Sequence, residues 1–207
     1  MEFQLFGIGI LTWIVFLPIV GMIIILLLPD QSKKAIRWTA AAVTGLQVVL
    51  AGVIYSLFDR SMVGINDAES FQFVEKFSWI TVDAVPWVGR IEINYFMGID
   101  GLSVLMVILA SIIALIGVIS SWNIEKMTKG YFALYLLLVT GMMGVFVSLD
   151  FFLFFIFWEV MLLPMYFLIG LWGGPRREYA AIKFFLYTFF GGVLMMLVML
   201  ALYFSVA

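Results

Sequence analysis

Two residue types are missing from this chain and a third class is scarce. There is no cysteine among the 207 residues. That removes disulfides, iron–sulfur ligation and thiol chemistry. Histidine is also absent, which excludes His-ligated haem or zinc and the proton carrier that needs least tuning near neutral pH. Charged residues make up 12% of the chain, against about 25% in soluble domains. What remains is apolar: 65% of the residues are hydrophobic and the mean hydropathy is +1.19. The chain is therefore expected to be a polytopic membrane protein. With no water in the bilayer core, its backbone must be satisfied inside helices or a closed barrel, and long unbroken apolar runs select helices. The net charge of −2 is uninformative here, and no basic pattern points to nucleic acid. No Walker, Rossmann or EF-hand pattern occurs, so the chain itself has nothing to carry hydride or electron chemistry.

Six segments are long enough to cross, close to the ~20 residues a span needs. They are residues 8–28, 36–57, 102–122, 131–149, 151–172 and 179–204. The first lacks the basic start and small-residue cleavage site of a signal peptide, so it is read as a mature helix. The loops after the first, third and fifth segments hold Lys33, Lys34, Arg37, Lys126, Lys129, Arg176 and Arg177, seven of the 11 basic residues. The long segment on the other side holds Arg60, Lys76 and Arg90 among the acids Asp59, Asp67, Glu69, Glu75, Asp83, Glu92 and Asp100. Positive loops face the cytoplasm, which places both termini of this stretch outside. The expected organisation is two spans in residues 1–58, an extracytoplasmic segment in 59–100, and four spans in 101–207. Within the outer segment Ile91-Glu92-Ile93-Asn94-Tyr95 alternates like a half-exposed strand. Short β elements are expected there, either as a cap on the bundle or as a docking surface.

Glu159 is the residue that most demands explanation. It is the lone charge in Phe151–Trp172, about 13 Å along the helix from Asp150, near the middle of the hydrocarbon layer. A central carboxylate costs a few kcal/mol even on lenient insertion scales, and such residues usually mark ion or proton pathways. Pro164 follows five residues later and displaces the carbonyl of Val160; it fits either a packing kink or a loosened carbonyl that holds water. Tyr166 falls on the Glu159 face. Lys183 is the other intramembrane charge, flanked at helical spacing by Tyr179 and Tyr187. Its stem can snorkel to the interface or its ammonium can meet Glu159. From loop distances the two charges are expected within several ångströms of the same depth, forming either a gated proton relay or a static ion pair. The paired glycines Gly141/Gly144 and Gly191/Gly192 are read as close-packing positions. Asp150 is read as a loop charge or the outer mouth of a path.

The run from Phe157 to Gly174, FWEVMLLPMYFLIGLWGG, resembles the fifth helix of the antiporter-like subunits of respiratory complex I. Arg177 and Ala180-Ala181-Ile182-Lys183-Phe184-Phe185-Leu186-Tyr187-Thr188 resemble the segment that follows it, and Met97-Gly98-Ile99-Asp100-Gly101-Leu102-Ser103 the stretch before the third helix. The combination looks most like the M-type (ND4-type) subunits of bacterial NADH–quinone oxidoreductases, from about Phe77 onward. The resemblance implies an all-α integral membrane bundle of about fourteen helices with two inverted repeats. This chain is then expected to be the N-terminal portion, with about 131–207 opening the first repeat. It implies a proton-translocating subunit of a redox enzyme, with no redox centre of its own. In that family the glutamate at Glu159 pairs with a lysine on a later helix, and a lysine at Lys183 assists. Flavin and iron–sulfur clusters are expected in partner subunits, and other membrane-arm subunits, the bilayer and the later helices of the same subunit as its neighbours. The bacterial inner membrane is the expected location. Subunits of multisubunit Na⁺/H⁺ antiporters and membrane-bound hydrogenases are related alternatives.

Overall fold

The computed structural model describes residues 4–5, 8–60, 71–85 and 89–206. A two-residue strand pair, β1 (Gln4–Leu5) and β2 (Ile8–Gly9), leads into helix α1 (Ile10–Leu27), followed by α2 (Lys33–Leu57). The antiparallel strands β3 (Gln72–Val85) and β4 (Gly89–Ile99) come next, then α3 (Gly101–Ser120), α4 (Thr128–Val147), α5 (Phe151–Trp172) and α6 (Arg177–Val206). All six helices are long and apolar enough to cross a membrane. Asp67 and Glu69, counted above among the outer acids, lie outside the described residues.

Helix ends form where the sequence supplies acceptors. Asp100 caps α3 by accepting from the Ser103 amide at 2.7 Å. Asp150 caps α5 by accepting from the amides of Phe152 and Leu153 at 2.9 and 3.1 Å, and reaches the Asn94 amide of β4 at 3.3 Å. These caps satisfy donors that a helix start leaves orphaned.

The core is centred on α1 and α4. Ile10, Leu11, Ile14, Val107, Val139, Met143 and Val147 are all buried within it. Gly21 lets α1 approach closely, since a Cβ there would meet Val43 at 2.7 Å and Leu136 at 3.1 Å. Pro18 interrupts α1 and cannot donate to the Ile14 carbonyl. Buried Gln47 of α2 supplies the missing donor, its Nε2 lying 2.8 Å from that oxygen. In an apolar core this replaces the backbone bond that proline removed.

At one end of the bundle the β3–β4 hairpin is tied to α1. A register shift between Gln72 and Glu75 accompanies a positive φ of 54° at Phe73, as at a β-bulge. Phe73 is buried there. Glu75 then accepts from the Leu11 amide at 2.8 Å and from the Thr12 amide and hydroxyl, and Thr12 shares a 2.7 Å hydrogen bond with Tyr95. Gly9 leaves room for that carboxylate: a Cβ would fall 2.0 Å from Glu75 Cδ. At the other end the basic loops lie together. Lys33 pairs with Glu125 at 3.0 Å and Lys129 with Asp30 at 3.4 Å. Trp172 donates to the Lys126 carbonyl at 2.7 Å.

Candidate functional site

The candidate site is the contact between α5 and α6. Helix α5 is held on one side by α4, where Gly141 and Gly144 admit Met161 and Phe157. A Cβ at Gly141 would lie 2.4 Å from Met161 Cγ, and one at Gly144 2.2 Å from the Phe157 ring. On the opposite side Glu159, Tyr166 and Gly170 share a face at helical spacing. Each meets α6: the Glu159 carboxyl lies against Gly192, the Tyr166 ring is 5.6 Å from Phe185, and Gly170 would meet Ala181 at 3.5 Å.

These contacts fix the antiparallel register and correct one expectation. They place Lys183 level with Leu168, nine residues beyond Glu159, or ~13 Å along the axis. The several-ångström depth difference expected from loop distances is too small. That expectation measures Glu159 from Asp150 and Lys183 from Arg177, at opposite ends of the bundle, whereas the contacts set Arg177 level with Gly174 at the end of α5, 15 residues beyond Glu159. Among the described residues Glu159 and Lys183 form no ion pair. The Lys183 ammonium instead lies between the rings of Tyr179 and Tyr187, 5.8 and 5.9 Å from their centroids. Those tyrosines are 64% and 74% exposed, so this stripe faces away from the bundle. Lys183 also lines an open cleft of about 610 Å³ with Gly174, Arg176, Arg177 and Tyr179, at the end where the basic loops gather.

Helix α5 runs unbroken through Pro164, which is buried, and Tyr166 is half-buried with its ring also edge-on to Phe167 at 5.4 Å. The structure thus gathers Glu159 with Gly192, Tyr166 with Phe185, and Lys183 with Tyr179 and Tyr187. Two features of the site escaped the sequence reasoning. Gly192, read there only as a packing residue, is buried and forms the notch that receives the carboxyl: a Cβ would sit 2.3 Å from Glu159 Oε1. The Trp158 indole nitrogen is buried, finds no hydrogen-bond partner among the described residues, and borders the same notch, 4.0 Å from that Cβ position. The tryptophan beside an intramembrane glutamate was the available signal.

A bundle of six membrane-length helices with a half-buried acidic side chain midway along one of them defines a multi-pass membrane protein with an ionisable group in mid-span. Residues 148–206, which hold both α5 and α6, match the NADH:quinone oxidoreductase/Mrp antiporter transmembrane family. It is 40% identical over 195 residues to NADH-quinone oxidoreductase subunit M of Rickettsia conorii, covering 91% of this chain and 37% of that protein. It is 39% identical over 197 residues to NAD(P)H-quinone oxidoreductase chain 4 1 of Synechococcus elongatus, covering 94% of this chain and 34% of the relative. The chain thus spans about a third of the length of these relatives. A chain of respiratory complex I from Thermus thermophilus shares the fold, with a TM-score of 0.66 at 23% identity, over 88% of this chain and 33% of that one. A chain of an archaeal membrane-bound sulfane sulfur reductase does so with a TM-score of 0.64 at 20% identity, over 89% and 35%.

Proposed function

We propose that this chain is part of a proton-translocating membrane-arm subunit of an NADH–quinone oxidoreductase, with Glu159 as its protonatable group. The observation that carries the proposal is the Glu159 carboxyl itself. It sits in mid-helix against the bare backbone of Gly192, with no hydrogen bond or ion pair from any described residue. A carboxyl kept there without a fixed partner is suited to gaining and losing a proton. Lys183 is the second carrier, one stage nearer the basic loops, and exchanges protons with Glu159 through water across the ~13 Å between their levels. Pro164 loosens α5 between the two levels, and Tyr166 and Tyr187 line their faces. Asp150 caps α5 and takes no part.

The similarity to M-type subunits supports the larger setting. Redox energy is released in partner subunits that hold flavin and iron–sulfur clusters; this chain has no cysteine to ligate a cluster. Other membrane-arm subunits and the later helices of the subunit complete the path. The enzyme lies in a bacterial inner membrane, with the basic loops cytoplasmic and the hairpin outside. Residues 1–58, 59–100 and 101–207 act as anchor, cap and channel-bearing segment. The family also covers Mrp antiporters, and one experiment separates the two. The complex is solubilised from native membranes through this chain and reconstituted in vesicles. NADH-driven acidification with quinone reduction is expected. Proton movement driven by a sodium gradient, without response to NADH, would replace this proposal with the antiporter.

A further inference from the structure

We infer that Gly192 and Trp158 are positioning residues for the Glu159 carboxyl: Gly192 supplies the notch that holds it, and the Trp158 indole N–H donates to it once its proton has left. The inference deepens the proton-site proposal and rests on it. Two independent observations support it. Gly192 is buried, and an added Cβ would lie 2.3 Å from Glu159 Oε1, inside any contact a carbon can make. Gly191, its neighbour, has nothing within 4 Å of its Cβ position. The requirement for glycine therefore belongs to the position facing the glutamate and not to the pair as such. Separately, the Trp158 Nε1 is a buried donor without an acceptor, and it lies on the rim of the same notch.

The indole is a donor only and keeps its proton throughout. It has nothing to offer a protonated carboxyl that already carries its own hydrogen, but it can bond an ionised one strongly. Stacking fixes the ring in place: Phe154 lies 6.1 Å away, nearly parallel, and Phe151 stacks on Phe154 in turn. Among the described residues no other titratable group competes at this level. On α4 the titratable residues are Lys129, Tyr131 and Tyr135, all in its first eight residues. On α6 Arg177, Glu178, Tyr179, Lys183 and Tyr187 lie toward the basic loops and Tyr203 near the opposite end. Helix α1 approaches α5 through Phe16 against Phe157 and brings no charge there.

The test uses the whole complex in native membrane vesicles, with assembly checked by native gel. Infrared difference spectra follow the carboxyl band that disappears in Glu159→Gln, and NADH-driven proton translocation is recorded against pH. Trp158→Phe keeps the ring and removes the donor; band and activity are expected to titrate about one pH unit higher. Gly192→Ala is expected to lower translocation about 10-fold or more by displacing the carboxyl, and the shorter side chain of Glu159→Asp added to it should restore most of the loss. A Trp158→Phe titration that does not move, or an assembled Gly192→Ala complex that Glu159→Asp fails to rescue, would overturn the inference and leave the proton site standing. An unaltered Glu159→Gln complex would instead remove the proton site itself.

Discussion

Helices α1 and α5 each contain a proline in mid-span, and their surroundings differ sharply. Around Pro18 the freed Ile14 carbonyl is met by the side chain of Gln47, which is fully buried for that purpose. Around Pro164 the polar groups are the Glu159 carboxyl, without a described partner, and the Trp158 indole, without an acceptor. The packing follows the same division. Of the most apolar stretch of α1, 44% is buried, against 22% for α5 and 6% for α6. In the first half of the bundle the carbonyl that proline frees is answered and locked by a side-chain donor. The second half leaves an ionisable group next to a glycine, on a helix pair with one open side. Where a polar group is pinned, as at Gln47, it serves the packing; the proposal assigns chemistry to the one that is free to change state.

That contrast can be sharpened from the pinned side. The largest effect is expected at Gln47→Leu, which strands the Ile14 carbonyl in the core at a cost of about 1–3 kcal/mol. Adding Pro18→Ala returns the helix's own amide donor, so the double variant should recover most of that loss. Unfolding midpoints in detergent of the two single variants and the double give the coupling; simple additivity would show that Gln47 does not serve the proline. The next effect is at the hairpin. Glu75→Ala removes the acceptor for the Leu11 and Thr12 amides, worth about 1 kcal/mol as for a lost helix cap. Faster hydrogen exchange at those two amides would report it, and unchanged exchange would break the latch.

Tyr95 gives the same latch a pH signature. Burial pushes its hydroxyl up to about 12, against a smaller opposing effect of the Thr12 hydrogen bond and a further push from the Glu75 charge. The folded value lies above the ordinary 10, so this contribution is complete below pH 10 and is lost as pH rises toward about 12. Tyr95→Phe should flatten stability over that window. The smallest effect is expected at Glu125→Gln. Lys33, with help from Arg37, holds the Glu125 carboxyl below its usual range, so the pair loosens only in acid. The group is fully exposed, however, and such pairs contribute little; the unfolding midpoint at neutral pH should not change measurably.

Much of this architecture was legible in the chain because hydropathy alone decides membrane spans. Phe151–Trp172 has the bounds that its apolar run sets. The other helices differ by a few residues, as in α2, which starts at Lys33 because lysines at an end can extend into water. Glu159 stood out for its cost in hydrocarbon. The register of α5 against α6 did not, because it depends on which glycine faces which side chain, and two adjacent glycines leave that choice open. The α1 latch was equally hidden: Glu75 and Leu11 are 64 residues apart, and no local pattern links a strand carboxylate to a distant helix start. The donor role of Gln47 needed the packing of α2 on α1 before Pro18 could explain it.

The central claim is that Glu159 carries the proton. Its most direct test is NADH-driven proton translocation by vesicles containing the assembled Glu159→Gln complex, set beside wild type at equal subunit content. Gln keeps the size and removes the exchangeable proton, so translocation should fall at least about 10-fold while assembly and the hairpin latch are unchanged. Wild-type translocation by the assembled variant would contradict the account and leave the carboxyl at Gly192 a packing feature.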